Sequence, residues 1–522
     1  MDVPVIIAGG GPTGLCASIA LSRLDVRSLL VERHPATSAF PKGRALSIRT
    51  MEILRRYGLE DHVTKAGLPR TESLHFYFGD ALTSAEYIRR GNLPDPARAA
   101  LSPTFTTVCS QDILEPLLRE EAEAQACGEL WFGHELVALS QDPTGVTAEI
   151  QGPDGTTRII RAAYLIGADG AGSFVRRRLG ITMDGDAELS RNLNILFDAD
   201  LRPRVRDRLS LIYTIANPSL TGTFMAVDNQ RRWLFNLIHD PARQGVDGLT
   251  RDGCVEVVRR AAGLPDLELT VTGVQEWTAA ALLARHYRDD RVFLAGDAAH
   301  PMTPYGGFGM NCGIQDADNL AWKLAWVLAG KAGTALLGSY EAERRPVGAA
   351  TVAESRHSLL AALAASGVSG PRPQGRPSDG LVLGYTYDGP AAAVVPDGSA
   401  PPDISDAVAV YQPVARPGHR VPHAWLTDED GRTVSTLDLT GPGFVLLTGR
   451  PDAWRTATPP DVAVHEIPER LAHAWGIEAG GAVLVRPDDH ICWRSPGLPA
   501  GAAPVGGALD LVLGRRTAAV QA

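Results

Sequence analysis

The chain has 522 residues, with 50 basic and 60 acidic side chains and a net charge of −10. That length fits about three domains of roughly 150 residues each, and a composition 44% hydrophobic and 21% charged is that of an ordinary globular protein. The acidic balance argues against a nucleic acid or an anionic membrane surface as partner, because both call for a basic face.

In chain order, Val3–Ala8 reads as a buried strand, residues 12–24 as a helix and 27–32 as a second strand. This compact βαβ opening begins at once, and no signal peptide is expected ahead of it. Residues 50–57 and 112–126 read as amphipathic helices, and 158–168 as a strand that runs into Ala168-Asp169-Gly170. From Asn192 to His239 the texture changes. Alternation in 209–215, 222–227 and Arg232–Ile238 predicts an antiparallel sheet inserted into the first domain. That domain resumes at Arg291 with a buried run, 292–295, followed by Gly296-Asp297, a Pro/Gly-rich loop and a helix over 314–328. Helices continue through 334–365, with Glu343-Arg344-Arg345 read as a helix-end ion pair. Residues 366–377 and 396–402 are Gly/Pro-rich breaks. Beyond them, 421–522 has its own strand and turn rhythm, with strands over 432–437, 443–447, Ala482–Val485 and 490–494.

The expected division is a discontinuous first domain (1–180 and 286–370), an inserted sheet domain (181–285 with part of 70–105), a linker (371–402) and a C-terminal domain (403–522). No apolar run approaches the roughly 18 residues of a membrane span; the nearest, 320–328, is interrupted by Lys323. The six cysteines, at 16, 109, 127, 254, 312 and 492, show no CxxC spacing. This argues against zinc, an iron–sulfur cluster or a disulfide framework, so no metal is expected and the thiols read as reduced, in a cytoplasmic protein.

Gly9-Gly10-Gly11-Pro12-Thr13-Gly14 fits G-x-G-x-x-G in the context that gives the pattern meaning, after a strand and at the opening of a helix. Gly9 permits the tight turn, Gly11 lets a pyrophosphate approach the backbone, and Gly14 lets helix and strand pack closely. Glu32 ends the second strand, 32 − 14 = 18 residues beyond the last glycine. Its carboxylate can accept from ribose hydroxyls and disfavours a 2′-phosphate. Asp297, at the end of a buried strand and facing a glycine-rich helix entrance, suits the sugar or phosphate part of a nucleotide. Arg44 reads equally well as a pyrophosphate partner or a solvated surface arginine.

Three motifs stand in order: GxGxxG with Glu32-Arg33; Gly167-Ala168-Asp169-Gly170-Ala171-Gly172-Ser173 with Val175-Arg176; and Gly296-Asp297-Ala298-Ala299-His300 through Gly306-Gly307-Phe308-Gly309-Met310-Asn311. Together they resemble class A FAD-dependent aromatic hydroxylases of the para-hydroxybenzoate hydroxylase fold. With Tyr340–Pro346 and the C-terminal extension included, the chain is similar to aromatic polyketide hydroxylases and phenol hydroxylases over nearly its whole length. The resemblance is weakest in the inserted sheet.

It implies an α/β architecture: a Rossmann-type FAD-binding domain, an inserted antiparallel-sheet substrate domain and a thioredoxin-like C-terminal domain. Thr13, Glu32 and Arg33 would hold the adenosine and phosphate end, Arg44 the pyrophosphate, Gln111 the ribityl region and Leu136 the adenine through its backbone. Asp169 would serve FAD and NAD(P)H; Gly172, where relatives often carry Arg or His, weakens a direct nicotinamide contact there. Asp297 would bind the ribityl or pyrophosphate, and Gly309, Met310 and Asn311 the isoalloxazine. The loop Pro304, Gly306, Gly307 and Phe308 would flank the flavin through its backbone, where close amides can stabilise developing charge. Tyr213, Trp233 and His239 are weak substrate-pocket candidates on the inserted sheet.

The implied activity is NAD(P)H-dependent hydroxylation of a phenolic or polyketide-type aromatic through a flavin hydroperoxide, with molecular oxygen as co-substrate. Such an enzyme fits antibiotic biosynthesis, and a homodimer is compatible with it. Two alternatives keep the cofactor: Baeyer–Villiger insertion or epoxidation, and halogenation, which lacks its W-x-W-x-I-P pattern here. One of another class is a non-catalytic flavin-binding accessory protein. In the C-terminal domain the lack of CxxC removes thioredoxin-like redox chemistry.

Overall fold

The computed structural model describes residues 1–91, 96–238, 250–365, 377–427, 430–478, 480–499 and 504–515. His239 and residues 366–376 of the expected break at 366–377 lie outside them.

The first sheet is built on parallel strands. Val292–Leu294, Thr157–Gly167, Val3–Ala8, Ser28–Glu32 and Gly128–Phe132 lie side by side, all pointing the same way. Val5, Ile6, Ile7, Leu30, Leu165 and Ile166 are shielded on both faces, as parallel strands require. The helix Pro12–Ser22 lies against one face and packs on Gly309–Leu328, the two forming one core with the sheet. Their N-termini and the carboxyl ends of the strands meet at one edge, where open α/β sheets bind ligands.

The second sheet has seven strands, in the order Thr270–Ala284, Met183–Asp198, Arg232–Ile238, Leu220–Ala226, Ile212–Asn217, His75–Gly79 and Tyr87–Gly91. All pairings are antiparallel except that of Ile212–Asn217 with His75–Gly79. The expected sheet is therefore larger than its sequence signal. The two long strands Met183–Asp198 and Thr270–Ala284 have mixed polar and apolar positions that blur the period of two.

Strand alternation gives this sheet two distinct faces. One carries Leu193, Ile195, Phe197, Tyr213, Phe224, Trp233 and Phe235 into a core capped by the helix Arg251–Ala262. The other turns toward the first sheet: a Cβ on Gly273 would lie 2.7 Å from the Phe40 ring, and Arg232 reaches Asp112 at 2.6 Å.

The C-terminal sheet orders its strands Ala463–Glu466, Val445–Thr448, Ala482–Val485 and Ile491–Ser495, the first pair parallel and the others antiparallel. Helices Pro451–Arg455, Glu469–Ala474 and Pro504–Val512 intervene or follow. It docks on Gly309–Leu328 through Trp322, whose ring meets Phe444 edge-on at 5.8 Å. Fully or nearly fully buried ions join the same surfaces. Glu343 accepts from Lys323 at 2.6 Å and from Arg486 at 2.7 Å, and Arg420 pairs with Glu52.

Two sequence expectations change here. Glu343 and Arg344 do not sit at a helix end; they lie inside Gly338–Ala365, wholly buried, because the helix is covered on that side. The segment read as a linker contains the helix Asp379–Leu383, and Tyr387 beyond it is buried, stacked on His490 at 4.3 Å. Five of the six cysteines are buried and all are free thiols.

Candidate active site

The glycine loop separates packing from binding. A Cβ on Gly9 would lie 2.2 Å from the Ala168 carbonyl oxygen, and one on Gly14 would lie 2.0 Å from that of Gly9. These glycines are demanded by the protein's own backbone. Gly11 is different: a Cβ there would meet nothing within 4 Å, in front of a helix N-terminus that no side chain caps. A free helix start beside open space is an anion site. Glu32 braces the loop, accepting from the Gly10 amide at 2.7 Å and from the His34 amide at 2.8 Å.

Thr13 connects the first motif to the third. Gly296 adopts φ +62°, and Cβ atoms on Gly296 and Gly313 would lie 2.6 and 2.3 Å from Thr13 Oγ1. The helices Pro12–Ser22 and Gly309–Leu328 therefore converge at their starts, and the second also lacks a side-chain cap. Asp297 stands at this convergence. Its neighbours Leu294–Gly296 and Ala298–His300 are buried, whereas Asp297 itself is exposed. Its surroundings are nonetheless dehydrating. Burial raises its pKa against the opposing pull of His300 and Lys42. An accessible carboxylate deep in a protein recess is suited to accept from sugar hydroxyls.

The loop after it is fixed by backbone geometry. Gly306 and Gly307 take φ of +89° and +67°, and the Gly307 amide donates to the Pro304 carbonyl at 3.1 Å. Asn311 then ties the loop down. Its Nδ2 donates to the Gly307 carbonyl at 2.6 Å and the Ala45 carbonyl at 2.8 Å, while its Oδ1 accepts from the Ser47 amide at 2.8 Å. With its side chain so used, Asn311 has only its backbone to offer a ligand. Pro304 and Gly306 are exposed and Phe308 is buried. Gly43, Gln111 and Met310 adjoin one another: the Gly43 amide donates to Gln111 Oε1 at 3.2 Å, and a Cβ on Gly43 would lie 3.1 Å from Met310 Sδ.

Other candidates fall differently. Arg44 is buried and donates to the Leu211 carbonyl at 3.3 Å and to the Ala226 carbonyl, both in or beside the inserted sheet. Burial lowers its pKa to about 10, against the attraction of Asp112. Contact with a pyrophosphate would require it to release those carbonyls, and only its Nε lacks a partner. Asp169 braces the start of the helix Phe174–Arg178, accepting from the Val175 amide at 3.0 Å and from the hydroxyl of Ser173, the residue that caps the helix. Leu136 is buried in an edge strand, and Arg33 is exposed.

Tyr213 and Trp233, the pocket candidates, lie on the face of the inserted sheet that is covered by the helix Arg251–Ala262. Both are fully buried beneath the sheet, with Tyr213 accepting from the Ser210 amide at 2.9 Å and Trp233 donating to the Gln230 carbonyl at 3.2 Å. Their strand positions put them on the face away from the first sheet. The face toward the first sheet carries their neighbours instead: Asn236, which donates to Asn194 at 2.8 Å, with Thr223 opposite it and Gln275 opposite Asn194. Sequence alternation alone could have found this face once the burial side of one strand was known.

Open space at Gly11, two uncapped helix starts, the accessible Asp297 and the glycine loop fit FAD. The comparisons agree. An FAD binding domain model matches residues 2–355, and an aromatic-ring hydroxylase C-terminal model matches 414–515. Tetracenomycin A2 monooxygenase-dioxygenase of Streptomyces glaucescens is 38% identical, over 98% of this chain and 97% of its own. Among solved structures, the flavin-dependent monooxygenase PieE in complex with FAD and substrate superposes with a TM-score of 0.89 at 35% identity, over 99% of both chains. A ternary complex of aklavinone-11 hydroxylase with FAD and aklavinone superposes at 0.87 and 32% identity, over 98% of this chain and 99% of that one. No described helix is long and apolar enough to cross a membrane. With a family model spanning the whole flavin fold and relatives covering almost every residue, the chain belongs to the FAD-dependent aromatic-ring hydroxylases, a family of flavoprotein monooxygenases.

Proposed function

We propose that this enzyme is a single-component FAD monooxygenase, driven by NAD(P)H, that hydroxylates a phenolic or polyketide-type aromatic in the cytoplasm. The observation that carries the reading is the Pro304–Asn311 loop. Its glycine turn is pinned by Asn311 next to the accessible Asp297, and the segment leading into it hydrogen-bonds to the inserted sheet, Leu282 N–H to Pro301 O at 2.9 Å. Flavin loop and candidate substrate face are thus one connected structure.

Bound FAD would supply reduction by NAD(P)H and delivery of one oxygen atom from O2 to an electron-rich ring carbon. The chain's own residues do the rest. The Gly11 backbone and the start of Pro12–Ser22 would hold the diphosphate, Glu32 and Asp297 would accept from the two sugar portions, and the backbone amides of Gly309, Met310 and Asn311 would be the donors offered to the flavin. On the sheet, Asn194, Asn236, Thr223 and Gln275 present donors and acceptors to ring carbonyls and hydroxyls, while Met225 and Leu234 share the same face as apolar surface. Such a mixed floor suits a flat oxygenated polycycle; PieE and the aklavinone hydroxylase bind their substrates together with FAD.

The domain division is proposed as read from the sequence, with the helix Asp379–Leu383 attached to the C-terminal part. The strand order and directions of the C-terminal sheet support a thioredoxin-like unit. Its Cys492 is buried and unpaired, with burial pushing its pKa up, which supports a structural role. The test is NAD(P)H consumption by the FAD-loaded protein across a panel of phenols and polycyclic quinones. Stimulation by a subset of aromatics is expected. FAD uptake with no stimulation by any of them would favour a non-catalytic flavin-binding role.

A further inference from the structure

Behind the flavin-side loop lies a polar cluster sealed from solvent. Asp316, in the second turn of Gly309–Leu328, is fully buried and accepts from three directions: the Gly296 amide at 3.0 Å, His300 Nε2 at 2.6 Å and Arg344 Nε at 2.7 Å. Arg344 comes from the long helix Gly338–Ala365 and also donates to the Cys312 carbonyl at 3.3 Å and the Tyr387 hydroxyl at 3.2 Å. Gly296 and His300 bracket Asp297 in a tight 3₁₀ turn, closed by the Ala299 amide donating to the Gly296 carbonyl at 2.8 Å, with the His300 amide donating to the same oxygen at 3.0 Å. Asp316 therefore grips the turn on both sides of the one residue that is exposed in it.

The cluster also brings ligand atoms of His300, Cys312 and Asp316 within 4.8 Å of one another, the spacing of a metal site. Arg344 argues against that use. Its guanidinium lies 2.7 Å from Asp316 and 3.5 Å from Cys312 Sγ, so it already supplies the positive charge a cation would bring, and it would repel one.

We propose that Asp316, acting through His300 and the Gly296 amide and balanced by Arg344, is the positioning element that aims Asp297 at the cofactor. All three side chains are fully buried behind the turn. They act by removing the turn's freedom, so that Asp297 meets the cofactor already oriented. The proposal rests on the reading of Asp297 as a cofactor ligand.

The test measures the FAD dissociation constant and the melting temperature of the apoprotein for His300→Leu, His300→Gln and Asp297→Ala. Leucine keeps bulk but loses the donor to Asp316; glutamine keeps a donor of similar reach. Loss of one hydrogen bond to a carboxylate predicts an FAD dissociation constant raised about tenfold in H300L, with H300Q within about threefold of the parent. If H300L melts too low to assay, Arg344→Lys, which keeps the countercharge and loses the Nε contact, is held to the tenfold criterion. Weakened binding in D297A with an unchanged constant in H300L would overturn the positioning role alone. An unchanged constant in D297A would overturn the Asp297 reading and the proposal with it. A merely structural role for His300 predicts lowered melting in both His300 variants with FAD affinity intact, which would also overturn it.

Discussion

Gly11→Ala separates a glycine kept for the ligand from one kept for the fold. At this position φ is −77° and ψ −177°, an extended conformation open to alanine, and the added methyl would touch no protein atom within 4 Å. Alanine is a poorer N-cap than glycine, so the apoprotein should lose no more than about 1 kcal/mol. The methyl would instead occupy the space in front of the helix start, where the diphosphate has to come against the backbone. Displacing the diphosphate by even a few tenths of an ångström weakens charge-assisted hydrogen bonds from the loop amides. The expected loss is at least tenfold in FAD affinity, about 1.4 kcal/mol. Gly14→Ala is the counterpart. Its methyl would sit 2.0 Å from the Gly9 carbonyl oxygen, so the loop and helix must move apart, at a cost of about 1–3 kcal/mol or more in stability. Both variants would be titrated with FAD by quenching of flavin fluorescence and melted without it. A G11A protein binding FAD within twofold of the parent would refute the assignment of the diphosphate to this loop.

Other substitutions probe the remaining layers. Glu343→Gln leaves Lys323 and Arg486 buried with one fewer carboxylate. It should cost about 3–5 kcal/mol in urea unfolding, and a loss below about 1 kcal/mol would contradict the role given to that network. Asn236→Val should raise the KM for the aromatic, or uncouple NAD(P)H consumption from product, while FAD affinity holds. Trp233→Phe, on the opposite face, should lower stability and leave that KM unchanged; the reverse pattern would place the substrate on the wrong side of the sheet. Burial, aided by Arg416 and by Arg49 and Arg486 respectively, lowers the pKa of His419 to about 4 and of His490 to about 3. Both are neutral in the folded protein at pH 5, whereas the unfolded chain takes up their protons below about 6.5. Their contribution to stability should therefore be full above pH 6.5 and be lost from there toward pH 4, by up to about 1.4 kcal/mol per pH unit for each histidine. A urea midpoint that is flat from pH 7 to 5 would contradict this.

Local chemistry made the flavin half of the molecule legible in the sequence. The strand Val3–Ala8, the glycine loop, Glu32 at a strand end and the Gly-Asp turn at 296–297 each carry their own reason in neighbouring residues, and the structure gathers them at one edge. What stayed hidden depends on long-range partners. Asp316 gave no sequence signal, because its three donors come from positions 296, 300 and 344 and only the packing of two helices brings them together. Tyr213 and Trp233 looked like pocket residues because aromatic side chains on a strand carry no sign of which face is covered, and the helix Arg251–Ala262 that covers them follows later in the chain. Arg44 is ambiguous for the same reason: its acceptors, Leu211 and Ala226, lie beside and in the inserted sheet, 167 and 182 residues away.

Oxygen from the air should reach an aromatic ring at this flavin. The most direct measurement supplies ¹⁸O₂ to the FAD-loaded enzyme with NAD(P)H and a stimulating aromatic, then weighs the product. One ¹⁸O atom per hydroxylated product is expected, with one NAD(P)H consumed for each. Product oxygen drawn from water, or a purified protein that takes up no FAD, would contradict it.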